Sequence, residues 1–153
     1  MSPRLNPYDK KGIALVQPLI DYGQTIQKRI EPRLALLIEI RASQINGCAV
    51  CLHMHAAEAR KIGESEERIR LLDAWRETPL YSERERAALG WTEALTRLSE
   101  TRAPDTDYQA LKAQFTEEEQ VNLTLLIGVI NSFNKLGVGF RIAPIGLAAR
   151  QAA

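Results

Sequence analysis

The sequence predicts an all-α fold. Helix punctuation recurs along the chain, most clearly as two capping boxes, Ser82 with Glu85 and Thr116 with Glu119. No run of about four to eight residues alternates apolar and polar between turn residues, as a half-buried strand would. Apolar residues recur instead at helical spacing over the longer segments.

Taken in order, the first predicted helix covers about Asp9 to Arg29, with Ile13, Val16, Leu19 and Ile20 at helical spacing and Pro18 as a kink or boundary. Pro32 suits the first position of a second helix, near Pro32 to Gln44. That segment is apolar almost all round, which predicts a central buried position and makes its polar members, Glu39 and Arg41, stand out. Asn46-Gly47 breaks the pattern, and a third helix runs from about Cys48 to Ile62, where Gly63 supplies a left-handed cap. Ser65 caps a fourth helix ending near Trp75, with Pro79 in the loop that follows. Ser82 starts a fifth, reaching about Ser99. After a shorter stretch around Tyr108 to Ala113, Thr116 starts a long helix to about Leu136, which Gly137 and Gly139 should end. A small last segment spans Ile145 to Ala149. The expectation is one helical domain over residues 1–153, a bundle of about six to eight helices, since 153 residues are enough to bury a core without staples.

Composition excludes several function classes. Twenty basic residues face 19 acidic ones for a net charge of +1, and the signs alternate along predicted helices, as in Glu83-Arg84-Glu85-Arg86. This is a solvated helix face and not the basic stripe of a nucleic-acid binder. No apolar run approaches the roughly 20 residues of a membrane span, and the segment Met1 to Lys11 is too polar for a secretory signal. The sequence therefore predicts a cytoplasmic protein.

The chain has only two cysteines, and they lie three residues apart. Chance placement gives that spacing roughly one or two times in a hundred, so the pairing calls for a chemical explanation. In a reducing compartment the explanation is redox chemistry or metal. On a helix Cys48, Cys51 and His55 share one face, while His53 points elsewhere. The first turn of a helix offers unpaired N–H groups and a positive dipole end, and both favour the thiolate that attacks peroxides and disulfides. His55 can take the thiol proton or deliver one to a leaving oxygen, and the second cysteine can resolve a sulfenic acid as a disulfide. Three other readings stand beside this one. A zinc site would use Cys48, Cys51, His53 and His55, although Cys51 and His53 project about 200° apart. The cysteines can also be inert core residues, or one can serve a Cys-His hydrolase that has no need of the other.

The run from Glu39 to His55, with its Ser43-Gln44-Ile45-Asn46-Gly47 turn, C-x-x-C pair and histidine four residues later, resembles the alkylhydroperoxidase D (AhpD-like) and carboxymuconolactone decarboxylase superfamily. The likeness continues through Ala57 to Gly63, Trp75-Arg76-Glu77, Ser82 to Leu89, Trp91 to Thr96 and Ile130 to Lys135, covering most of the chain from about 34 to 141. It implies a helical subunit assembled as a trimer or hexamer and a peroxidase cycle on hydrogen peroxide or organic hydroperoxides. Cys51 would attack the peroxide, Cys48 would resolve, and His55 would relay protons. No cofactor beyond the redox-active cysteines is implied, and an external dithiol or lipoyl-type protein would restore them. The decarboxylases of this superfamily lack the cysteine pair, which sets this chain with the peroxidases. One departure concerns the relay glutamate: twelve residues before Cys48, where the peroxidases carry it, stands Leu36. Glu39 and Glu93 are the candidate substitutes, each with a rival structural role, an ion pair for Glu39 and a solvated helix face for Glu93. A disulfide reductase or electron carrier acting on a protein or lipoyl disulfide is the alternative activity.

Overall fold

The computed structural model describes residues 2–144. Among them run α1 (Ile13–Gln27), α2 (Pro32–Asn46), α3 (Ala49–Lys61), α4 (Glu66–Leu71), a 3-10 segment (Leu72–Glu77), α5 (Glu83–Thr96), α6 (Leu98–Thr101), α7 (Asp105–Gln114) and α8 (Glu117–Gly139). The all-α prediction holds: no strand occurs among the described residues. The predicted segment Ile145 to Ala149 lies outside them.

Helix α2 is the axis of the fold. Pro32 opens it at a position whose N–H would have no partner, and every residue from Leu34 to Ser43 is buried. It supplies all three apolar clusters. Leu34, Ala35 and Ile38 pack with Ile26, Trp91, Leu126 and Ile127. Leu36, Leu37 and Ile40 pack with Leu72, Trp75 and Leu89, and Ala42 packs with Cys48, Cys51 and Ile130.

Both capping boxes form in full, with Ser82 and Thr116 each accepting from the backbone of a glutamate whose carboxylate returns to the cap N–H. Ser65 caps α4 by accepting from Arg68 N. Gly47 (φ +67°) and Gly63 (φ +83°) take the left-handed conformation that closes α2 and α3. In each case the next two N–H groups return to the last turn, Gly47 to Gln44 and Cys48 to Ser43, then Gly63 to Arg60 and Glu64 to Ala59.

Several boundaries differ from the sequence expectation. Asp9 does not start α1, because its carboxylate accepts from the N–H groups of Lys11 and Gly12 at 3.0 and 2.9 Å and so commits that segment to a turn. Pro18 lies within α1 without ending it. The fourth helix gives way to the 3-10 segment, where Ala74 leaves helical geometry, and the fifth stops at Thr96 with α6 beyond it. Gly137 and Gly139 do not end α8. Gly137 is buried at a crossing, where a Cβ would lie 2.6 Å from Cys48 Sγ and 3.2 Å from Val50 Cγ1. Helix α8 is also long and apolar enough to cross a membrane, contrary to the reading that no run reaches that length. Its Leu123, Leu126, Ile127 and Ile130 are core residues, which accounts for its apolar content.

The α8 glycines give a paired test. Gly128 is exposed in mid-helix, and a Cβ there would meet nothing within 4 Å, so Gly128→Ala should stabilise by about 1 kcal/mol through helix propensity. Gly137→Ala should destabilise by about 1–3 kcal/mol through overpacking against sulfur. Urea unfolding of both variants checks the signs; a stabilising Gly137→Ala would overturn the packing argument.

Candidate redox site

The turn between α2 and α3 consists of Gly47 and Cys48 alone. Because the left-handed Gly47 reverses the chain so tightly, Cys48 becomes the N-cap of α3 with extended backbone (φ −83°, ψ 94°), and Cys51 falls in the first turn. The sequence reading placed both sulfurs in the helix; Cys48 in fact precedes it. The two are joined as a disulfide with Cα atoms 5.4 Å apart. Both are buried, at 1% and 4% exposure, with Ala42 beneath and Ile130 and Phe133 of α8 over them.

Two segments far apart in sequence hold this turn in place. Asn46 donates to Asn131 Oδ1 and Asn134 Oδ1, both at 2.9 Å, and Asn134 donates to Ser43 Oγ at 2.9 Å. Asn131 in turn donates to Thr96 Oγ1 and to the Ile127 carbonyl. The Ser43–Gly47 stretch, which is the last turn of α2 and its cap, and the Ile130–Lys135 run, noticed separately in the sequence, are thus two halves of one polar clamp.

His55 lies on the buried face of α3 and His53 on the exposed face, as the helical spacing requires. His55 Nδ1 is 2.9 Å from Glu58 Oε2 and 3.5 Å from Glu39 Oε2. Burial of His55 works against its protonation, but the hydrogen bond to Glu58 and the charges of Glu39 and Glu58 outweigh it, so its pKa is raised. Burial also raises the pKa of Glu39, against the lowering influence of His55 and of Gln27, whose amide donates to Glu39 Oε2 at 3.0 Å.

Of the two glutamates proposed from sequence, the fold brings Glu39 to His55 and gives Glu93 other partners. Glu93 is buried, not solvated, and accepts from Arg41 Nε and Trp75 Nε1, both at 2.8 Å, and from Arg76. Burial opposes its charge, yet these donors hold its pKa below the ordinary carboxylate value. Arg41 completes that cluster with Asp73 and Gln44. Glu58 escaped the sequence reading, which weighed only Glu39 and Glu93 as substitutes for the relay glutamate; its signal was the i, i+3 spacing from His55. Among the described residues no group of three His, Cys, Asp or Glu side chains is placed to hold a metal ion. Surface cavities of about 520 and 330 Å3 line the N-terminal half of α8 and include neither cysteine, His55 nor Glu39.

Comparison with known proteins agrees with this geometry. A model of the carboxymuconolactone decarboxylase family matches residues 16–94, and the chain belongs to that family. It is 40% identical over 140 residues to the uncharacterized protein YdfG of Bacillus subtilis, covering 90% of this chain and 94% of that one. It is 28% identical to the uncharacterized protein YnjA of Escherichia coli, over 87% of this chain and 72% of its relative. A crystal structure from Agrobacterium tumefaciens superimposes with a TM-score of 0.87 at 44% identity, covering 94% of this chain and 99% of that one. That protein is described as of unknown function, with an antioxidant-defence role as AhpD suggested for it.

The raised His55 pKa has a sign that can be tested in the oxidised protein. Stabilisation by the imidazolium is complete below the ordinary value of 6.5 and is lost as pH rises through the higher folded-state value. The gap in unfolding free energy between wild type and His55→Asn should therefore narrow as pH climbs above 6.5. A gap independent of pH in urea titrations would contradict the ion pairing.

Proposed function

We propose that the protein is a thiol-dependent peroxidase that cycles between the Cys48/Cys51 dithiol and the disulfide. The observation that carries this reading is a bonded sulfur pair at the start of a helix, one turn from a buried histidine held by carboxylates. In the reduced state the Cys51 thiol gives its proton to His55, and first-turn N–H groups of α3 favour the thiolate. The sulfur attacks one peroxide oxygen, so that an S–O bond forms as the O–O bond breaks. The departing alkoxide takes the proton from His55 and leaves as an alcohol, or as water when the substrate is hydrogen peroxide. The Cys48 thiol then attacks the sulfenic sulfur; the disulfide forms and water departs. The two thiols supply both electrons. An external dithiol, of small-molecule or lipoyl type, returns them by exchange and leaves as its own disulfide.

Burial favours a small peroxide as oxidant, since sulfurs exposed by only 1% and 4% meet a bulky partner's sulfur only after local opening, a step that the recharging exchange with a dithiol also requires. The clustered sulfurs also weigh against two inert core cysteines.

Peroxide consumption in the presence of a dithiol tests the assignment. Cys51→Ser should fall to the rate of the reductant alone. With no dithiol added and peroxide in excess, Cys48→Ser should complete one turnover and then accumulate sulfinic acid at Cys51, visible by mass spectrometry. His55→Asn should lose about 10²–10⁴-fold in the peroxide step. Equal steady-state rates for wild type and Cys51→Ser would end the proposal.

A further inference from the structure

We infer that Glu58 is a positioning residue for His55, fixing the proton on Nδ1 and leaving Nε2 as the nitrogen that exchanges protons with the reacting groups. This deepens the proposed peroxidase reading and rests on it.

The two carboxylates at Nδ1 are not equivalent. Glu58 Oε2 stands at 2.9 Å, a hydrogen-bonding distance, whereas Glu39 Oε2 stands at 3.5 Å and already accepts from Gln27 at 3.0 Å. The Glu39 side chain is 8% exposed and that of Glu58 is 43% exposed. Burial chiefly raises the pKa of Glu39, while the hydrogen bond from His55 chiefly lowers that of Glu58. Environments that push two neighbouring carboxyls apart divide their roles. Glu58 stays ionised and accepts the Nδ1 hydrogen; Glu39 adds charge from the buried side without competing for that hydrogen.

Other charges around the ring are few. Glu39 comes from α2 and Glu58 from α3 itself, while Lys61, one turn further along α3, acts on Glu58. Helix α1 contributes the uncharged amide of Gln27, and α8 faces the sulfurs with Ile130, Phe133 and Gly137. The link to α4 is the exposed Arg60–Glu66 pair.

With Nδ1 occupied, the thiol proton of Cys51 moves to Nε2, and the imidazolium so formed is stabilised by the Glu58 carboxylate. The same proton leaves Nε2 for the departing alkoxide. Glu58 gains and loses no proton in either step, and the neutral ring returns in its starting tautomer.

The chain has only two histidines, so an NMR titration of the oxidised protein reports His55 with exposed His53 as internal reference. Glu58→Gln should lower the His55 midpoint by about one pH unit, the size of effect expected for losing an adjacent opposite charge, and leave His53 in place. Glu58→Asp, which keeps the charge but withdraws it, should give an intermediate midpoint and keeps the test standing if the glutamine variant fails to fold. An unchanged His55 midpoint in either variant, or a shift shared equally by His53, would overturn the inference. In the reduced protein, the acid limb of the peroxide-consumption profile should move with the His55 midpoint in Glu58→Gln; a limb that stays fixed would also overturn it. A wild type that consumes no peroxide would sink the proposed function while leaving the titration result intact.

Discussion

Burying one helix on every side obliges each polar group on it to find a partner inside the protein. Helix α2 meets that obligation at three alternate positions, and each partner organises a different neighbour. Glu39 takes the Gln27 amide and approaches His55; Arg41 takes Glu93, Gln44 and Asp73; Ser43 accepts from Asn134. The first choice builds the charged surroundings of the histidine. The second ties α2 to α5 and the 3-10 segment, and the third locks its end to α8. Removing one partner from such a pair leaves a desolvated group behind, which costs about 1–3 kcal/mol for a neutral group and more for a charged one.

The sulfurs inherit their geometry from the same helix. Its last turn ends in a left-handed glycine, so that a single residue separates that cap from the next helix, and that residue is a cysteine. The asparagines of α8 then fix the turn from the side, and Gly137 lets α8 come within reach of Cys48. Backbone closure, an amide network and a missing side chain act together on one disulfide. The chemistry proposed for Cys51 needs this restraint, because resolution requires the Cys48 sulfur to stay within bonding reach of the sulfenic sulfur.

The sequence was most informative where structure is decided locally. Ser65, Ser82 and Thr116 cap helices as their spacing implied, Pro32 opens α2, and Gly47 and Gly63 close helices, because a cap depends on residues only a few positions apart. The shared face of Cys51 and His55 follows from helical period, and Cys48 joins them from the N-cap position. Features set by tertiary contact were not legible. Gly137 reads as a helix stop until α3 is seen crossing it, and Glu93 reads as a surface residue until Arg41 and Trp75 are seen beside it. Glu39 and Glu93 were equal candidates in sequence, and only the packing of α2 on α3 separates them. Asp9 failed for a different reason: its side chain can serve a turn as readily as a helix start, and the local competition went to the turn.

The two cavities and the cysteine pair meet different stretches of α8. Val121 lines both cavities, while Gly137 touches Cys48, and sixteen residues of helix place them about 24 Å apart along its axis. Ligand design guided by these two cavities would therefore begin far from the sulfurs. If the disulfide opens to the dithiol that the proposed cycle requires, small electrophiles judged by the adduct they leave on Cys51 are the more direct route to ligands for this fold.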